Sequence, residues 1–349
     1  MTALEWPVDK PVFQNGLMKM YREKYSPPKD PEVSFEGKTV VITGCNTGLG
    51  LEAAVKYAVK GCSHLVLGVR TKEKGEATKN SILSRLPSFP ADHISIQTVD
   101  YSSFASVTSF AHSVATAHPQ IDILASNAGL VDPNFSLTAD GNEKVVQVNY
   151  LSHILLAILL LPTLIATGKA KKTPSHVVFT GSMSHLDAEN AHVPDTVPEK
   201  LSLREALQDK ANFKPLFHYG LTKLLLQTAV QNLTSALDGV PGAPIMLTCC
   251  PAACKTGLWD SKGFYSYLIN PMMTVCGRTP EEGSRTLVSA AALGEEARGG
   301  FWKNDKLNEE SPKIRRELFE GIKKRDWEDL QVFLEGVEPE TKSILDGLK

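Results

Sequence analysis

Thr39-Val40-Val-Ile42-Thr43-Gly44-Cys45-Asn46-Thr47-Gly48-Leu49-Gly50 is the stretch on which the reading of the fold turns. Val40 to Ile42 is a short apolar, β-branched run, the mark of a buried strand. Gly44, Gly48 and Gly50 signal a tight turn, and a helical pattern follows from about Leu49 to Lys60. Glycines between a strand and a helix let the backbone approach a pyrophosphate, whose charge meets the helix N-terminus. Glycines alone are only a turn; the strand before them and the helix after them are the context that a phosphate-binding reading requires.

Outward from this stretch, five more apolar runs read as strands: Leu65–Val69, Ile94–Val99, Ile121–Ala125, His176–Thr180 and Ile245–Cys249. Helical stretches separate them, which predicts an α/β fold: a Rossmann-type, doubly wound parallel sheet flanked by helices in a single domain. Residues 1–36 read as an N-terminal arm, 37–305 as the main domain and 306–349 as a C-terminal helical extension. Within the arm a helix is expected over Val12–Tyr25, stopped by Pro27-Pro28. In the extension, Ile314, Leu318, Ile322, Leu330 and Leu334 recur at helical spacing among mixed charges, which predicts a packing helix. Two segments break the alternation. Residues 185–215 are a polar insertion, and 257–278 carry Trp259, Phe264, Tyr265, Tyr267, Met272 and Met273 just after the sixth strand. Ligands bind beyond the carboxyl ends of such strands, so 257–278 is a candidate substrate loop.

Composition narrows the function. The 349 residues are 42% apolar and 22% charged with a formal net charge of −2, so nothing basic marks a nucleic-acid partner. Cys45, Cys62, Cys249, Cys250, Cys254 and Cys276 form no C-x-x-C pair and stand near no spaced histidines, which predicts reduced thiols and no metal. The apolar run from Leu151 to Ala166 is interrupted by Pro162 and falls short of the ~20 residues of a membrane span. Met1 to Pro7 shows no basic-then-apolar pattern, so the expected location is cytoplasmic.

Tyr219-Gly-Leu-Thr-Lys223 puts a phenol and an ammonium on one face of a helix. A free phenol titrates near ~10, and an adjacent ammonium favours its ionised form, making the pair a proton donor and acceptor. Arg70 ends the second strand about twenty residues after the glycine turn, where an acid would hold the ribose hydroxyl of NAD and an arginine the 2′-phosphate of NADP. With Arg70 and Lys72 there and no acid, the reading is NADP(H). Ser126-Asn127-Ala128-Gly129 ends the fourth strand with small residues that permit close approach. Asn149 sits between that strand and the apolar helix, and Ser182, with Ser184 as its rival, follows the fifth strand.

Taken in order, Thr43-Gly44-x-x-x-Gly48-x-Gly50, Asn127-Ala128-Gly129, Asn149, Ser182 and Tyr219-x-x-x-Lys223 resemble the classical short-chain dehydrogenase/reductase family over residues 37–305. The chain looks most like its retinol-dehydrogenase-like and fungal accessory reductase branch, an impression to which Phe301-Trp302-Lys-Asn-Asp305 contributes. The resemblance implies that Tyr219 is the general acid/base, Lys223 lowers its pKa and binds the nicotinamide ribose, Ser182 polarises a substrate carbonyl, and Asn149 holds a relaying water. It implies that Gly44, Asn46, Thr47, Gly48, Leu49 and Gly50 line the pyrophosphate. It also implies that Asp100 and Asn127 contact the adenosine and that Pro251 and Thr256 flank the nicotinamide. The family usually has Pro-Gly where this chain has Pro251-Ala252. The expected activity is NADP(H)-dependent interconversion of a carbonyl and a secondary alcohol on a bulky, largely apolar secondary metabolite. The aromatic residues of 257–278 read equally as lid or core packing. A non-redox isomerase, epimerase or cyclase using the same pocket stays open, as do monomer and homo-oligomer.

Overall fold

The computed structural model describes residues 16–185, 202–259, 271–308 and 317–348. Six strands form where the apolar runs stand: β1 (Thr39–Thr43), β2 (His64–Val69), β3 (Ile94–Thr98), β4 (Ile123–Ser126), β5 (His176–Thr180) and β6 (Ile245–Cys249). Two short strands complete the sheet, β7 (Phe301–Lys303) and β8 (Lys306–Asn308). The order is β3-β2-β1-β4-β5-β6-β7-β8, with β8 alone antiparallel. Val41 pairs with Val66 on one side and Leu124 on the other, so the order reverses direction at β1. That reversal opens a crevice at the carboxyl ends of β1 and β4.

The strands alternate between two cores. Val41, Val66, Leu124, Val177 and Met246 face one; Val40, Ile42, Leu65, Ile123 and Leu247 face the other. The helices are α1 (Gly16–Lys24), α2 (Gly48–Val59), α3 (Lys72–Arg85), α4 (Phe104–Ala117), α5 (Lys144–Lys171), α6 (Leu203–Leu207), α7 (Pro215–Ala236), α8 (Pro280–Ala290), α9 (Glu317–Val337) and α10 (Glu340–Asp346). On the first face, α4, α5 and α7 pack with Ile322, Leu330 and Leu334 of α9 and Leu345 of α10. On the second, Ala53, Ala54 and Tyr57 of α2 meet Leu287 and Val288 of α8.

The helix α5 is longer than the apolar run suggests. It spans 28 residues and is long and apolar enough to cross a membrane, yet 78% of its most apolar window is buried inside the fold. It is apolar all round because the sheet, α4, α7 and α10 pack around it. The fourth strand begins two residues later than expected. Asp122 is diverted there: its carboxylate accepts the Thr39 amide proton at 2.9 Å and pairs with Lys171 at 2.7 Å. Of the arm helix, 12–15 lie outside the described residues, as does 186–201 of the insertion.

Candidate active site

The glycine turn is built as a cradle. Gly44 and Gly48 have φ of +63° and +59°, a region costly for any side chain with a Cβ. A Cβ at Gly44 would stand 2.7 Å from Ala128 Cα, and one at Gly50 only 2.3 Å from Gly44 O. One at Gly48 would meet Thr256 Cγ2 at 3.3 Å, which brings the segment after β6 against the turn. Thr47 opens α2 in an extended conformation, φ −153°, and its side chain caps nothing. The first amides of α2 therefore keep their donors for an outside acceptor. Asn46 and Leu49 are half-buried beside them. A narrow backbone cradle at a helix N-terminus fits a dinucleotide pyrophosphate.

Arg70 and Asp100 follow the neighbouring strands β2 and β3, joined where Val99 N–H donates to Val69 O at 2.8 Å. Arg70 is exposed, and its guanidinium has no hydrogen-bond or ion-pair partner among the described residues. The Asp100 carboxylate accepts from the Ser102 amide at 2.9 Å and hydroxyl at 2.7 Å. Asn127 is tied into the scaffold: its Nδ2 donates to Thr43 O and Gly44 O, both at 3.2 Å, and its Oδ1 accepts from Thr180 Oγ1 at 3.0 Å. The side chain thus welds β1, β4 and β5 beneath the turn.

Beyond the ends of β4 and β5 the structure gathers Asn149, Ser182, Tyr219 and Lys223. Asn149 is fully buried in a π-turn, Gln147–Leu151, inside α5. Its Oδ1 accepts from Leu130 N at 2.9 Å and its Nδ2 donates to Leu130 O at 2.8 Å. Gly129 has Asn149 on one side and Lys223 Nζ on the other; an added Cβ would lie 3.4 and 3.9 Å from them. Lys223 Nζ donates to Thr180 O at 2.8 Å and sits 5.8 Å from the centre of the Tyr219 ring. Tyr219 bonds to Ser182, whose Oγ in turn donates to Ser184 Oγ at 3.1 Å. Ser184 is thus one bond further from the phenol than Ser182.

The electrostatics differ from the expectation that Lys223 lowers the phenol. Burial pushes Tyr219 above its ordinary value, with the Ser182 bond pulling the other way. Burial also draws Lys223 down to about 8. Desolvation penalises both charged forms and is the largest cause of each shift.

A second layer escaped the sequence. His153 Nε2 donates to Ala128 O at 2.8 Å, and its Nδ1 accepts from Ser126 Oγ at 2.6 Å. Ser126 bonds to Tyr101 OH and Tyr101 to Thr43 Oγ1, each at 3.0 Å. Burial, then the charge of Lys223, lowers His153 to about 3, so it is a neutral link. This chain fixes the backbone of Asn127 to Gly129. Cys250 is another link, its sulfur accepting from Met183 N at 3.2 Å and Ala252 N at 3.4 Å. The only hint in the sequence was that His153 and Tyr101 are polar-tipped residues in apolar surroundings.

Pro251 is buried after β6, and Ala252 takes φ +64°, the left-handed conformation that the usual glycine would adopt freely. Of the candidate substrate loop, 260–270 lie outside the described residues, including Phe264, Tyr265 and Tyr267; Met273 is buried as packing.

Comparison with known proteins matches residues 38–193 to the short chain dehydrogenase family. The chain is 36% identical over 335 residues to the short-chain dehydrogenase/reductase ffsI of Aspergillus flavipes, covering 95% of this chain and 96% of that one. This chain belongs to the short-chain dehydrogenase/reductase family. A second member, phmF of Phaeosphaeria nodorum, is 34% identical across 93% of this dehydrogenase/reductase and 94% of its own length. Among solved structures, the 3-ketoacyl-(acyl-carrier-protein) reductase of Brucella melitensis complexed with NADH shares the fold. Its TM-score is 0.55 at 20% identity, over 77% of this chain and 97% of that one.

Proposed function

We propose that this oxidoreductase interconverts a carbonyl and a secondary alcohol with NADP(H), and that Tyr219 carries the proton. The observation that carries the reading is that Asn149 and Lys223 meet at Gly129 with the Tyr219–Ser182 pair beside Lys223, at the crevice where the glycine cradle also opens. A bound nicotinamide supplies the hydride. The protein supplies the rest. Ser182 bonds the phenol, and its hydroxyl proton, given to Ser184 Oγ in this structure, turns to a carbonyl oxygen placed beside it. Tyr219, raised by burial, stays protonated at neutral pH and is therefore set to give its proton to an oxyanion forming there. Lys223 titrates close to neutrality, so it can return a proton toward the phenol. Asn149 holds Leu130 in place beside Lys223 and Gly129.

Arg70 supports the NADP(H) preference: an exposed guanidinium at the end of β2, without a partner among the described residues, is placed to take a 2′-phosphate. The fungal relatives and the apolar residues of 257–278 support a bulky, largely apolar substrate of secondary metabolism. Reaction in the cytoplasm fits the reduced cysteines, all six unpaired. A screen of bulky ketones with NADPH, followed at the reduced-nicotinamide absorbance band, tests the reading. Consumption of NADPH matched by alcohol formation supports it; turnover without any change in that band overturns it.

A further inference from the structure

Arg278 is only 1% exposed, yet the sequence shows nothing but an arginine before a helix. Among the described residues each side-chain bond of Arg278 goes to a neutral acceptor, and the acceptors lie on three different segments. Nε donates to Glu23 O at 2.9 Å and Nη2 to Ser26 O at 2.9 Å, both in the N-terminal arm. Nη2 also reaches Asn304 Oδ1 at 2.8 Å in the β7–β8 turn, and Nη1 reaches Pro251 O at 3.2 Å after β6. Its backbone continues the attachment: Arg278 N–H donates to Ala253 O and Lys255 N–H to Arg278 O, each at 2.8 Å. The segment Pro251–Thr256 is thus gripped from the side chain and the main chain of one residue. That segment holds the left-handed Ala252 and leads to Thr256 against Gly48.

The arm is fastened again next door. Glu23 pairs with the buried Lys303, whose Nζ also contacts Met183 Sδ at 3.0 Å, one residue from Ser182. Arg285 donates to Pro28 O at 3.0 Å and Lys56 pairs with Asp30 at 3.1 Å. Burying a guanidinium against neutral acceptors carries a desolvation cost, and a fully bonded one rigidifies what it touches. The bonded groups here are the arm and the two loops that border the site.

We propose that Arg278 is a positioning residue, and that through it the N-terminal arm holds Pro251–Thr256 in the shape that receives the nicotinamide half of the cofactor. This rests on the nicotinamide-binding reading above. It makes a prediction that mere structural support does not: the two halves of the cofactor respond differently.

The test is equilibrium binding to the full chain of NADPH and NADH, and of their adenine halves, adenosine 2′,5′-bisphosphate and AMP. Arg278→Lys keeps the charge but loses the planar fork. It is expected to weaken the whole cofactor about tenfold or more while changing the adenine half by less than about twofold. Asn304→Gly removes one acceptor, suits the φ of +52° at that position, and is expected to shift binding the same way by a smaller factor. If Arg278→Lys does not fold, Asn304→Gly decides. Equal weakening of both halves, or no change in either, overturns the proposal. If the wild-type protein binds neither NADPH nor NADH, the nicotinamide reading fails and the proposal with it; wild-type binding with unaltered variants sinks the proposal alone.

Discussion

Replacing Lys223 with methionine is expected to make the protein more stable at neutral pH while abolishing turnover. Lys223 is 3% exposed, and burial lowers it from 10.5 to about 8. That drop corresponds to roughly 3 kcal/mol of penalty on the ammonium. Methionine fills a similar volume without the charge, but forfeits the bond to Thr180 O, worth about 1–2 kcal/mol. The net gain at neutral pH is about 1–2 kcal/mol. The pH dependence follows from the direction of the shift. Below about 8 both folded and unfolded chains carry the ammonium, and the folded one bears the full penalty. Between about 8 and 10.5 the folded chain has released its proton while the unfolded chain still holds one, so wild-type stability rises with pH across that window. The advantage of Lys223→Met therefore shrinks by about 1.4 kcal/mol per pH unit and reverses near about pH 9. Urea unfolding of both proteins from about pH 7 to pH 10, without cofactor, measures it. A variant less stable than wild type at pH 7, or a difference that ignores pH, refutes the reasoning.

Three further outcomes are expected. Arg70→Gln weakens NADPH about tenfold and leaves NADH unchanged, read by titration of each cofactor; an unaltered preference removes the 2′-phosphate assignment. Ala252→Gly relieves the left-handed φ of +64° and raises stability by about 1 kcal/mol at the unfolding midpoint, less whatever entropy the glycine costs the folded state. Asp326 of α9 is buried against the Leu203 amide, and burial raises it from 3.8 to about 7. The folded chain then holds a proton that the unfolded chain loses, so stability falls as pH rises from about 4 to about 7. Asp326→Asn keeps an acceptor for Leu203 and removes this part of the slope, up to roughly 4 kcal/mol, which unfolding at the two pH values detects.

The parts of this fold legible in the sequence are those where local pattern and burial agree. β1 to β6 are runs bounded by turns, and all but the half-exposed edge strand β3 are apolar and buried between two helix layers. β7 and β8 are three residues each, too short to show a period, although Asn304-Asp305 between them, at φ +52° and +56°, is a tight-hairpin signal. The length of α5 was hidden by Lys144 to Gln147, whose polar groups are bonded inside the fold, and its π-turn leaves no mark in residue type. At the site, Tyr219, Lys223, Ser182 and Asn149 are each ordinary alone, and they stood out through their order after the glycine turn, which resembles that of the family. The hydrogen-bonded link through Thr43, Tyr101, Ser126 and His153 did not: Thr43 and Ser126 were read only as members of their motifs, and Tyr101 and His153 look like ordinary core residues until the fold makes them neighbours. Arg278 is the extreme case: an arginine in sequence predicts a surface, and only long-range packing shows it buried. The electrostatic sign at Tyr219 was also beyond the sequence, since spacing gives proximity to Lys223 but not the depth of burial that dominates.

The central claim is proton donation by Tyr219 coupled to nicotinamide oxidation. It is tested most directly by following the reduced-nicotinamide absorbance with NADPH and a reducible bulky ketone, for wild type and Tyr219→Phe in parallel. The wild-type protein is expected to consume NADPH in step with alcohol formed. The variant is expected to bind NADPH as tightly but turn over about 10²–10⁴ times more slowly. Full activity in Tyr219→Phe, or ketone conversion with no loss of the absorbance, contradicts the account.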